Sequence, residues 1–244
     1  MNILGSGSIA AGEYNEKISV SGSGRLDGNI RCIALHCSGS VKAEGSVICS
    51  EEVEVSGSCN IAQGVTAKAV SASGSLRIGG DMTVEDKIKA SGSLDCDGNI
   101  KCATLNCAGS IYAGGEITAD EIRISGRVKC AGLMNAERIE IDMSGANLTS
   151  AVGSIGGSEI KVYNSKGAKA ISRIPLLKHI VGGNGRLRVD ELIEGDVIAL
   201  ENVTAPKVVG RIVAIGAGCE VDFVQYSEKI EIHPNAKVEK YEKI

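Results

Sequence analysis

Three residue types in this chain could do chemistry if their spacing allowed it. Cys32 and Cys37 recur as Cys102 and Cys107, a repeated pair that invites a zinc reading because thiolates are usual structural ligands of that ion. The three histidines, His36, His179 and His233, sit in three different settings. None has a Ser or Cys and an acid arranged beside it for a proton relay. The GSGS stretches look like phosphate-binding loops, yet no GKS or GKT follows them and no helix opens after them. Asp27-Gly28-Asn29 and Asp97-Gly98-Asn99 read instead as turns, with each Asn expected in a left-handed conformation.

Whether these groups can meet depends on the elements that carry them, and those elements repeat. A Ser-Gly-Ser triplet or a close variant centres on Gly22, Gly39, Gly57, Gly74, Gly92, Gly109, Gly126 and Gly145, at steps of 17 to 19 residues. Self-similarity at a short fixed period marks a solenoid. Counted from each triplet glycine, apolar residues recur in three pairs. One pair contains Val41 and Ala43, then Cys59 and Ile61; the next contains Ile30 and Cys32, then Val47 and Cys49; the third contains Leu35 and Cys37, then Val70 and Ala72. A spacing of two within each pair means alternate side chains pointing one way, as in a strand. Gly, Ser, Asn and Asp between the pairs supply corners. Three strands and three corners per repeat predict a triangular parallel β-helix of about 17–18 residues per coil. A left-handed β-helix keeps a strict six-residue period, which the 17-residue steps break, so the right-handed form is expected.

Composition agrees with a narrow bore. Among 244 residues there are no Trp, one Phe and five Tyr, with 32 Gly and only three Pro, while 43% of residues are hydrophobic. Small β-branched side chains fill such a column and large rings do not. The repeat also removes the zinc reading. The two cysteine pairs lie four coils apart, about 19 Å at the strand spacing, and within each pair the thiols belong to different strands, at inward positions held elsewhere by Ala, Val and Ile. They are expected as core fillers. Cys32 and Cys49 stack in adjacent coils, within disulfide distance. Nine cysteines with no disulfide-rich design, and an opening stretch MNILGSGSIAAG without a basic-then-apolar leader, predict reduced thiols in a cytoplasmic protein. A net charge of −4 speaks against nucleic acid as a partner. No cofactor and no metal is expected.

The period stops after GSEIKVYN and resumes at RLRVDELIEGDVIALENV. Between Lys161 and Arg188 lie seven basic residues and no acidic one. Within that stretch Ile171, Ile174, Leu177 and Ile180 fall at near-helical spacing, with Pro175 placed for a first turn and Gly182 for a stop. Two readings are open. Lys166, Lys169, Ile171, Arg173, Ile174, Leu176, Leu177, Lys178 and Ile180 form a basic amphipathic surface for anionic lipid or an acidic partner, or the apolar side covers the solenoid's flank while the charges face water. The expected organisation is a main β-helix over 1–162 of about nine coils, the insertion over 163–186, further coils of the same solenoid over 187–240, and a charged tail over 241–244.

With that architecture derived, the opening GSGSIAAGEYNEKISVSGSGRLDGNI and the later EGDVIALENVTAPKVVG and IGAGCEVDFVQYSEKIEIHP resemble the bactofilins, bacterial polymer-forming cytoskeletal proteins, in their longer Gram-positive form. The resemblance implies a right-handed β-helix with no cofactor and no enzymatic activity. It also implies end-to-end assembly, with itself or a paralogous β-helix protein, into filaments that scaffold other proteins at the inner face of the membrane. Independently of it, the ends of a β-helix leave backbone groups and core side chains unpaired, so they must be capped or stacked. Ile3, Leu4 and Ile9 are available at one end and Phe223, Tyr226, Ile230 and Ile232 at the other, Phe223 being too large for the bore and suited to capping or joining. The alternative is an enzyme or carbohydrate-binding β-helix, of hexapeptide-transferase or polysaccharide-acting type. It requires a His over a cleft, for which His36 is the one candidate, or a ladder of acidic or aromatic residues on an outer face, which the mixed Ser, Lys, Glu, Asp and Arg positions do not supply.

Overall fold

The computed structural model describes residues 1–145, 149–165 and 185–244. The described chain is nearly all parallel β, about 71% strand, wound as a β-solenoid. No α-helix occurs among the described residues, and a 3-10 turn spans Met143–Gly145. Two compact units are distinguished, Met1–Ile117 and Thr118–Ile244.

In the first unit each coil contributes to three ladders of strands. Along one, Ser23–Cys32, Ser40–Ala43, Ser58–Ile61, Ser75–Ile78, Ser93–Cys96 and Ser110–Ala113 pair in succession, with Val41 opposite Cys59, Cys59 opposite Leu76 and Leu76 opposite Leu94. A second carries Ile18–Val20, Leu35–Cys37 and Glu52–Val55 into the later half of Val65–Ala72. The third stacks Ile30, Val47, Val65, Met82 and Ile100. The inward columns are therefore the apolar pairs of the sequence, and Leu26, Leu35, Ile61, Leu76, Ile88 and Leu94 are fully buried. Each such side chain contributes about 1.5–3 kcal/mol by leaving water.

The Ser-Gly-Ser corners have a specific steric cause. A Cβ built on Gly39 would overlap the carbonyl oxygen of Gly22, one on Gly57 that of Gly39, and one on Gly74 that of Gly57. Those same oxygens accept the amide N–H of the next serine: Ser40 from Gly22 at 2.9 Å, Ser58 from Gly39 at 2.9 Å, Ser75 from Gly57 at 2.9 Å. The hydrogen bond that joins two coils occupies the space a side chain would need.

The Asp-Gly-Asn corners differ from expectation. Asn202 is the only described non-glycine with positive φ; at the first of these corners Gly28 takes that role, with φ 99°. Asn29 and Asn99 stay in ordinary backbone conformations and work through their side chains. Asn29 Oδ1 accepts the N–H of Ser46 at 2.9 Å, and Asn99 Oδ1 accepts that of Glu116 at 2.9 Å. A side-chain amide thus replaces a rung of the ladder where the chain turns.

The second unit follows the same plan with longer strands. Thr149–Tyr163 pairs with Arg138–Asp142 on one side and with Arg186–Val189 and Ile193–Leu200 on the other, so the coils after 187 resume the ladder left at 163. Val203–Ile215, Glu220–Ile232 and Lys237–Lys243 follow. The expected tail over 241–244 is a correction. Tyr241 lies opposite Val224 and Lys243 opposite Tyr226, and the Ile244 N–H bonds the Tyr226 carbonyl at 2.9 Å. VEKYEKI reads as charged because most of its positions hold Lys and Glu, while Val238 and Tyr241 continue the columns of Val221 and Val224.

Candidate functional site

Strand Lys237–Lys243 is hydrogen-bonded to Glu220–Ile232 on one side, and among the described residues nothing pairs with its other edge. Inward columns of the second unit end there. One runs Ile155, Ile193, Val208, Val224 and Tyr241; another reaches Val238 through Val221. Two more pass through Val213 and Ile215 and stop at Ile230 and Ile232. The preceding members Val224, Val213 and Ile215 are buried, whereas Ile230, Ile232 and Val238 are half-buried, Tyr241 is 56% exposed and Ile244 is 65% exposed. An edge with free backbone donors and acceptors above half-covered apolar side chains can accept another strand.

Phe223 is elsewhere. It stands on the outer face between Lys207 and Lys240, with their Nζ atoms 5.8 and 4.9 Å from the ring centroid, in a register that places it one strand in from the edge. The ring is clasped by two cations and does not enter the bore, as its size requires. Tyr226, half-buried, faces Lys243 across the last ladder.

The first coil is closed more completely. Ile3 and Ile9 are 9% and 3% exposed. Tyr14 lies against the same strand as Ile9: its hydroxyl donates to the Ala10 carbonyl at 2.8 Å, and its ring lies about 3.8 Å from where a Cβ on Gly12 would stand. The terminal amine is held by Glu16 and the Lys17 carbonyl. Leu4, 82% exposed, remains outside. The sequence reading thus grouped Ile3, Leu4 and Ile9, of which only Leu4 faces solvent, and did not single out Tyr14, Val238 or Tyr241. The signal for Tyr14 was present: an aromatic where the next coil has Cys32.

Of the groups considered for chemistry, all nine cysteines are buried free thiols. Cys32 Sγ lies 3.5 Å from Cys49 Sγ; their hydrogen bond holds the Cys32 thiol below its ordinary range and Cys49 above it. Burial raises Cys96 to about 11 and Cys219 to about 12. His233 Nδ1 accepts the Asn235 N–H at 3.1 Å in a turn. His36 lies on the outer face of Leu35–Cys37.

The interruption is anchored by polar groups at its near side. Asp142 accepts hydrogen bonds from the Ser144 N–H, the Ser165 N–H and the Ser165 hydroxyl at 2.9, 3.1 and 2.6 Å. Burial alone would raise this carboxyl; the serine donors outweigh it and hold it below the usual carboxylate range. Glu201, 1% exposed, accepts the Asn164 N–H at 3.1 Å. The contact residues expected at Lys166, Lys169, Ile171, Arg173, Ile174, Leu176, Leu177, Lys178 and Ile180 lie outside the described residues. No helix among the described residues is long and apolar enough to cross a membrane.

Comparison with known proteins finds relatives of part of the chain. It is similar to the uncharacterized protein YhbE of Bacillus subtilis (strain 168), 35% identical over 114 residues, 46% of this chain and 43% of that protein. It is also similar to the uncharacterized protein YhbF of the same organism, 34% identical over 113 residues, 46% of this chain and 42% of that protein. The matched stretch spans less than half the length of either relative. No family model matches, and no solved structure gives a significant match.

Proposed function

We propose that this chain is a non-enzymatic scaffold that self-associates, or joins a paralogous β-helix, through the edge of its last coil. The supporting observation is the strand Lys237–Lys243, bonded on one side, with Ile230, Ile232, Val238 and Tyr241 half-covered beside it. A second strand laid on that edge satisfies its backbone and completes the burial of four apolar side chains, the step each preceding coil has already made. The resemblance to the bactofilins points the same way, to filaments in the cytoplasm that organise other proteins at the inner membrane face.

The test is Tyr241→Lys. The side chain is already 56% exposed, so the substitution leaves the coils below it intact while placing a charge on the joining surface. Sedimentation velocity and negative-stain microscopy of the full chain should show concentration-dependent assemblies for the parent and mainly monomers for Tyr241→Lys. A parent that stays monomeric at high concentration, or a variant that assembles equally well, removes the proposal.

A further inference from the structure

On the outer face of the first unit, an imidazole is set against two carboxylates that the chain keeps 16 and 18 residues away from it. The parallel pairing of Leu35–Cys37 with Glu52–Val55 puts His36 opposite Glu54. Strand alternation turns Glu52 and Glu54 to the same side while Val53 and Val55 go inward. His36 Nε2 is 3.3 Å from Glu52 Oε1, and Nδ1 is 3.4 Å from Glu54 Oε2. One ligand atom from each of the three residues can be chosen so that all lie within 4.8 Å of one another.

Two observations set this cluster apart from the salt bridges elsewhere on the surface. First, the His36 Nε2 atom is shut off from solvent and makes no hydrogen bond, although the ring as a whole is 33% exposed. Second, His36 is the one base paired with either carboxylate among the described residues; the nearby Lys17 pairs instead with Glu51 at 3.9 Å. The ladder neighbours of His36 and Glu54 are Ser19 and Ser71, and that of Glu52 is Ala69, so no cation on the adjoining rungs offsets two negative charges. Comparable acids elsewhere meet arginine, as Asp27 and Glu44 meet Arg25 at 2.8 and 2.6 Å.

We propose that His36, Glu52 and Glu54 bind a zinc ion. Zinc takes one imidazole nitrogen and carboxylate oxygens at about 2.0–2.2 Å in a tetrahedron, which sets neighbouring ligand atoms about 3.4 Å apart; either ring nitrogen already has one carboxylate oxygen at 3.3 or 3.4 Å, and the second carboxylate closes by side-chain rotation from within 4.8 Å. A mixed nitrogen and oxygen set suits zinc better than magnesium or calcium, which favour oxygen throughout. The fourth position belongs to water, beside a groove of about 250 Å³ lined by Ser19, Ser21, Ser38 and Ser56 together with His36 and Glu54. Such an ion clips two successive coils together from outside.

The experiment uses the full-length protein, reduced and stripped of metal with a chelator, titrated with zinc by calorimetry and with cobalt(II) by visible absorption. One ion per chain is expected, without a thiolate-to-cobalt charge-transfer band. His36→Gln and the double change Glu52→Gln, Glu54→Gln should each weaken binding at least tenfold while circular dichroism stays that of the parent. Zinc should raise the unfolding temperature of the parent and not of His36→Gln. Equal affinity in His36→Gln, a thiolate band placing the ion on cysteine, or no binding to the folded parent each overturns the proposal; the last outcome leaves His36 as a side chain set between two carboxylates and nothing more.

Discussion

Burial sets the chemistry of the thiols at the scale of single residues. Cys96 and Cys219 are held neutral up to about 11 and 12 against an ordinary value of 9.0. A group whose folded value is raised binds its proton longer in the folded chain than in the unfolded one. Its contribution is complete below pH 9 and declines as pH climbs towards the folded values, because the unfolded thiols ionise first. Each thiol then removes about 1.4 kcal/mol of stability per pH unit above 9. Urea midpoints measured from pH 8 to 11 should fall, and a Cys96→Ala, Cys219→Ala variant should fall less steeply; parallel slopes would contradict this. Legibility at this scale is uneven. The cysteines were readable as core because their positions alternate with Val, Ile and Ala. The Asn29 and Asn99 corners were misread because residue type at a turn does not say whether backbone or side chain makes the hydrogen bond. The His36 cluster could have been found by applying the 17–18-residue period to the outward positions as well as the inward ones.

The governing fact at the scale of elements is the close approach of successive corners. Gly74→Ala forces a methyl group onto the Gly57 carbonyl oxygen, which is also the acceptor for Ser75. Relief requires either spreading two coils or losing that bond, and overpacking of this kind costs about 1–3 kcal/mol. Chemical denaturation should show that loss for Gly74→Ala and little change for Gly5→Ala, where a Cβ meets nothing within 4 Å; equal effects would show that the corner tolerates a side chain. The strands themselves were legible from the period-two pairs. Their last member was not, since Lys237–Lys243 carries Lys and Glu at most of its positions and looks like tail until its register against Glu220–Ile232 is known. Phe223 shows a related effect: its size was read correctly, but its place between Lys207 and Lys240, one strand in from the edge, leaves no mark in composition.

Charge is the property that stands out at the scale of the whole molecule. Seven of the chain's 26 basic residues, and none of its 30 acidic ones, lie between Lys161 and Arg188, against a chain that is otherwise acidic. Beside an anionic membrane, such a concentration would contribute about 1 kcal/mol of attraction per basic side chain near the surface. Flotation with anionic liposomes should recover the intact protein and not one lacking residues 164–186. Equal recovery of the two would end the membrane part of the proposed function while leaving self-association to its own test. Sequence carries this asymmetry plainly, whereas what the segment touches depends on folded geometry that charge counting does not supply.

The stacked corners also bear on inheritance. Gly39, Gly57 and Gly74 each rest on the same atom of the coil before, and Ser40, Ser58 and Ser75 each donate to it. One coil is therefore a unit of exchange. A gene that drops or doubles the 17 or 18 codons between two triplets brings together faces that already match, and the length of the protein can change by whole steps without a new interface having to be invented.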